Sequence, residues 1–141
     1  MRGVSSAFLY DAAFMEHARA PRGSVPLREA SATGRATNPL CGDEVELALR
    51  IEDGRVRAVS HRERGCVVVT VSASLLAELL VDRTADEIAA LAEALRAALT
   101  GRAPLPPVFA ALAPVRLLPS RHRCALLPWE ALRGALAEVQ A

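Results

Sequence analysis

Three cysteines and one nearby carboxylate are the residues of this 141-residue chain best suited to chemistry. Cys41 and Asp43 lie in Asn38-Pro39-Leu40-Cys41-Gly42-Asp43, Cys66 follows Gly65, and Cys124 ends Arg121-His122-Arg123-Cys124. In an extended Cys-x-Asp, side chains two apart share a face, and Gly42 lets the backbone bend so that both reach one ion. Three thiolates with one carboxylate make a tetrahedral set for Zn²⁺, or a partial set for an iron–sulfur cluster. Their summed charge of about −4 leaves an anionic centre around a divalent ion, which Arg121 and Arg123 can offset. A helix start and flanking guanidinium groups favour thiolate at Cys124.

A plainer reading stands beside this one. Free cysteine is among the most buried residue types and behaves as a small hydrophobe. Without a CxxC pair, spacing alone favours packing for these three, and Asp43 alone reads as a loop cap or a solvated charge. The odd count argues against a disulfide framework. His17 reads as a packing or capping residue of the first helix and His61 as a strand-face residue. His122 can turn toward the cysteines, in competition with Arg121 and Arg123.

The elements that must position these residues follow from periodicity. Residues 5–19 carry an apolar stripe at helical spacing, with Ser5 or Ser6 as the cap and Pro21 and Gly23 as the stop. Residues 23–38 read as an extended strand with loose ends. Residues 44–51 alternate polar and apolar, Asp53-Gly54 signals a hairpin, and residues 55–60 resume the alternation. Residues 67–81 read as a mostly buried helix, although Val67-Val68-Val69 alone favours a strand. Thr84-Ala85-Asp86-Glu87 is a capping box that opens a helix to about residue 99, closed by Gly101. Five prolines between residues 101 and 119 predict irregular chain with at most a short helix. A last helix is expected over residues 127–139, with Pro128 tolerable only in its first turn. Strands followed by segregated helices indicate an α+β sandwich.

Composition narrows the function further. The length suits one domain over residues 1–141, and 52% hydrophobic against 23% charged residues supplies a core. The net charge of +1 gives no bulk attraction to nucleic acid or anionic lipid, and 4% aromatics argue against base-stacking platforms. All 17 cationic residues are arginine, so lysine Schiff-base chemistry and the Walker lysine are excluded. The early Asp11 argues against a secretion signal. The longest apolar-rich stretch, residues 67–81, is interrupted and too short to span a bilayer. A cytoplasmic protein is expected.

The motifs together resemble the U-type iron–sulfur cluster assembly proteins: IscU, SufU and the N-terminal domain of NifU. That family carries N-P-x-C-G-D, a G-C pair some two dozen residues later, and a third cysteine before its last helix. Leu9-Tyr10, and Glu16-His17 followed by Pro21-Arg22, are similar to its opening helix and D-H-x-x-N-P-R signature. Ser72-Ala73-Ser74 and Trp129-Glu130-Ala131-Leu132 fit as well. Within the family the chain is most similar to SufU: the stretch between Cys66 and Cys124 is long, and Arg121 to Cys124 repeats R-x-x-C where IscU has histidine before cysteine. Leu105-Pro106-Pro107-Val108-Phe109 imitates the chaperone motif of IscU but lacks its lysine and lies far upstream. Glu16, Ala20 and Arg62-Glu63-Arg64 depart from the family pattern.

The resemblance implies a small antiparallel three-stranded sheet packed against several helices, the SufE/NifU-like sandwich. It implies metal ligands Cys41, Asp43, Cys66 and Cys124, with Gly42, Gly65 and Arg121 in support. The SufU-type version holds Zn²⁺ and accepts sulfur on Cys41 from a SufS-like cysteine desulfurase, for a downstream scaffold or recipient apoproteins. The IscU-type version builds a [2Fe–2S] cluster from Fe²⁺ on the same residues and passes it on. A zinc-stabilised interaction domain without transfer chemistry is the third reading.

Overall fold

The computed structural model describes residues 11–140. Its first helix, α1, spans Ala12–Arg19. The expected continuous helix over residues 5–19 does not hold, because Asp11 has extended backbone. Its carboxylate accepts the Ala13 and Phe14 amides and caps α1. The Ser5 or Ser6 cap and Leu9-Tyr10 lie outside the described residues.

Three strands follow, β1 over Ala32–Asn38, β2 over Asp43–Glu52 and β3 over Arg55–Arg64. They pair antiparallel in the order β1-β2-β3. The Asp53-Gly54 turn takes positive φ at both residues, as a two-residue hairpin with right-handed strand twist requires. The return strand runs four residues past the alternation. His61 is buried, and Arg62 and Arg64 find Glu46 and Glu44 across the sheet, so β3 is held to its end by cross-strand pairs. Val45, Leu47 and Leu49 point into the core.

Helix α2 spans Val67–Leu79, and Cys66 is its N-cap residue. Its β-branched start is helical because Val68, Val69 and Val71 are buried, and tertiary burial outweighs a weak local preference. Helix α3, Ala85–Leu99, opens on the Thr84–Glu87 capping box. The proline-rich segment is more helical than expected: a 3₁₀ turn over Pro107–Leu112, the short α4 over Ala113–Arg116, and a 3₁₀ turn over Pro119–Arg121. Phe109 there is fully buried, edge-on to Trp129 at 5.6 Å.

The last helix, α5, spans His122–Gln140 and so begins five residues before the expected start. Cys124 therefore lies in its first turn, and Pro128 lies inside the helix instead of opening it. Proline has no N–H to give the Cys124 carbonyl four residues earlier, a local cost that dense packing outweighs. Helix α5 crosses β1 and β2, while α2 packs on β3 and α5. Gly34 of β1 permits this crossing: a Cβ there would stand 2.0 Å from the Ala131 carbonyl oxygen. No helix among the described residues is long and apolar enough to cross a membrane.

Candidate metal centre

Asp43, the first residue of β2, is buried. Asn38 and Asp43 form the last β1–β2 pair, and the chain turns between them through residues 39–42. The Asn38 carbonyl accepts the Cys41 and Gly42 amides at 3.2 and 2.8 Å, and its side-chain oxygen accepts the Leu40 amide at 3.2 Å. Gly42 takes φ +77°, the left-handed region that glycine enters freely.

Cys66 and Cys124 stand at the starts of α2 and α5, at the positive ends of two helix dipoles. The two helices are joined through Ser72: its hydroxyl donates to the Ala125 carbonyl at 2.5 Å and accepts Trp129 Nε1–H at 3.2 Å. The consequence is a convergence of distant chain segments. One carboxylate oxygen of Asp43 and the sulfurs of Cys66 and Cys124 all lie within 4.8 Å of one another. Cys124 Sγ is 3.6 Å from Asp43 Oδ2. Sulfurs in a tetrahedral zinc site with bonds near 2.3 Å sit about 3.8 Å apart. Two soft donors and one hard donor at this spacing fit zinc, and they fit iron equally.

Cys41 does not join that group. Its thiol is exposed, while Cys66 is half-buried and Cys124 buried. The shared-face argument for Cys-x-Asp applies to extended chain, and the turn at Gly42 ends that alternation between the two residues. Of the three thiols, that of Cys41 is the most exposed.

The electrostatics at Cys124 differ from the sequence expectation. Burial pushes its thiol up to about 12, and the neighbouring Cys66 and Asp43 push the same way. The hydrogen bond from Arg121 works against them without prevailing. Arg121 itself faces both sulfurs: the charge of Cys66 and a hydrogen bond to Cys124 raise its own pKa. Metal binding reverses this balance, since a divalent cation displaces thiol protons.

The histidines do not join the group. His122 Nε2–H donates toward the Val115 and Arg116 carbonyls, both at 3.1 Å, and so turns away from the cysteines. His17 Nδ1 meets Ser74 Oγ at 2.7 Å, and that oxygen also accepts the Arg22 amide. Burial, then the charge of Arg22, lowers the His17 pKa. His61 bridges the Arg22 carbonyl and Glu63. Arg22 and Ser74 thus clamp the segment after α1 to α2 and β3, a role that periodicity does not signal. Beside Cys66 and Arg121 opens an apolar cleft of about 280 Å³, lined by Phe14, Met15, Val67, Val115 and Leu118. Val108 is exposed and Phe109 is buried in the core, so Leu105-Phe109 does not present itself as one exposed peptide.

Residues 9–140 match the profile of the NifU-like N-terminal domain. The chain is similar to the iron–sulfur cluster assembly scaffold protein IscU of Thermotoga maritima, with 29% identity across 93% of this chain and 94% of that one. It is also similar to the zinc-dependent sulfurtransferase SufU of Bacillus subtilis, at 25% across 92% and 90%. The crystal structure of a NifU-like N-terminal protein from Brucella abortus superposes with a TM-score of 0.86 at 27% identity, covering 96% of this chain and 97% of that one.

Proposed function

The chain belongs to the NifU-like N-terminal domain family, the U-type iron–sulfur cluster assembly proteins, and from that premise we propose that it accepts sulfur from a SufS-like cysteine desulfurase. Cys41 is the acceptor in this reading. Asp43, Cys66 and Cys124 hold zinc, with Cys41 as the fourth candidate ligand and Arg121 offsetting the negative charge. The observation that carries the reading is the meeting of Asp43, Cys66 and Cys124, with the exposed Cys41 two residues before Asp43 in the chain.

Bound zinc keeps its sulfur ligands deprotonated near neutral pH. The chain supplies the rest. The Cys41 thiolate attacks the outer sulfur of the donor's cysteine persulfide. A new S–S bond forms on Cys41 as the donor S–S bond breaks, the donor cysteine leaves as a thiolate, and no net electrons are exchanged. The proton lost from Cys41 passes to that leaving group or to water. Arg121, exposed and facing the Cys66 and Cys124 sulfurs, stabilises negative sulfur without a proton to give up. The persulfide then passes to a downstream scaffold or recipient apoprotein, with residues 1–141 acting as one domain.

The test pairs this chain with a SufS-like desulfurase and cysteine. Parent protein should gain 32 Da per transferred sulfur and raise desulfurase turnover, whereas Cys41→Ser should do neither. Undiminished mass gain in Cys41→Ser would refute the acceptor assignment. A second reading, assembly of a [2Fe–2S] cluster on the same residues, draws on the T. maritima relative and on a donor set that suits iron. It predicts iron and sulfide in protein purified without oxygen, where the first reading predicts zinc.

A further inference from the structure

We propose that Gly65 is a positioning residue for the Asp43 carboxylate, its missing side chain leaving the space into which that carboxylate turns to face Cys124. The inference rests on the reading of Asp43 as a metal ligand and names the device that aims it. One step past the Glu44–Arg64 pair, the β2–β3 register sets Asp43 opposite Gly65. Side chains directly opposite on antiparallel strands stand about 5 Å apart and compete for space.

Here one partner has none. A Cβ on Gly65 would lie 2.7 Å from both Asp43 Cγ and Oδ1 and 3.1 Å from its Cβ, well inside carbon contact distance. The nearest atoms all belong to the Asp43 side chain. Oδ1 therefore occupies the space over Gly65 while Oδ2 looks toward the Cys124 sulfur at 3.6 Å. Asp43 is buried, so its carboxylate is packed among protein atoms and an added Cβ must displace it from them.

Gly65 differs in kind from Gly42. Gly42 is glycine for its φ of +77° and has open space around its missing Cβ, whereas Gly65 lies outside the positive-φ glycines and lacks only room. Alanine at 65 thus strains no backbone torsion. It acts on a ligand that remains chemically intact, through its aim.

The test measures zinc affinity by chelator competition for four purified proteins: parent, Gly65→Ala, Asp43→Ala and the double variant. Gly65→Ala should bind zinc about tenfold to a hundredfold more weakly, the scale for losing a group that orients a ligand. In the Asp43→Ala background the same substitution should lower affinity by less than about threefold, since only the 3.1 Å approach to the residue-43 Cβ remains. The metal-free double variant should melt close to Asp43→Ala, because removing the carboxylate removes both 2.7 Å contacts and leaves only the 3.1 Å approach to the residue-43 Cβ. Parent-like affinity in Gly65→Ala, alongside a weakened Asp43→Ala, would overturn the positioning role alone. An equal loss in both backgrounds would overturn it too, because the effect would then run through Cys66 or the backbone. Unchanged affinity in Asp43→Ala would overturn the ligand reading and this inference together.

Discussion

At Cys124, burial and two acidic neighbours compete with one arginine, and the thiol keeps its proton up to about pH 12. Zinc must displace that proton, so each one released makes apparent affinity rise about tenfold per pH unit. Chelator competition between about pH 6.5 and 8.5 should show this rise; a flat profile would mean that Cys124 is not a ligand. The same shift has a folding consequence. The unfolded thiol, near 9.0, loses its proton first, so metal-free stability should fall as pH rises from there toward 12. At this scale the sequence was informative about residue type. Asn38-Pro39-Leu40-Cys41-Gly42-Asp43 marks a turn, and Asn38 makes it with both its carbonyl and its side chain. Orientation was less legible: His122, two residues from Cys124, turns to the α4 carbonyls because α5 starts with it.

Elements place the ligands, and one contact governs their spacing. Helix α5 lies directly on β1, with the Gly34 backbone against Ala131 and Ala135. Gly34→Ala should force strand and helix apart and cost at least about 3 kcal/mol, the upper range for overpacking. Gly134, on the facing helix, would bring its Cβ only to 4.0 Å from Gly34 Cα. Gly134→Ala should therefore be neutral or stabilise by up to about 1 kcal/mol through helix propensity. Urea denaturation of both variants checks the pair, and equal midpoints would contradict the close-approach argument. The capping box of α3 and the hairpin at Asp53-Gly54 were readable because their signals are local. The early start of α5 was hidden by Pro128, which reads as a first-turn residue until packing against β1 and α2 extends the helix backward. Asp11 likewise ended a continuous apolar stripe by capping, a choice that hydrophobic period alone does not record.

At the scale of the molecule, the apolar core extends well beyond the metal-binding group. Val45, Leu47, Leu49, Leu76, Phe109, Trp129 and Leu132 pack in one cluster between sheet and helices, with Cys124 in it and Cys66 against it. Chelation should accordingly leave the far-ultraviolet helical signal in place. Zinc at a hundred times its Kd adds about 2.7 kcal/mol, which at about 2–4 °C per kcal/mol for a chain of this size raises the melting temperature by some 5–10 °C. Loss of helical signal on chelation would instead mark a domain folded by its metal, the third of the readings drawn from the sequence.

Donor types, local turns and caps, the α+β order and the family pattern are all legible along the chain, because each is written in neighbouring residues or in a period. That Asp43, Cys66 and Cys124 meet while Cys41 stays outside, and that Cys124 holds its proton, emerges from the packed fold. Those outcomes depend on the crossing of α5 over the sheet, on the Ser72 link between α2 and α5, and on the space over Gly65 that the Asp43 carboxylate fills. They are distances and dielectric surroundings created by packing residues many positions apart, and no local pattern encodes them.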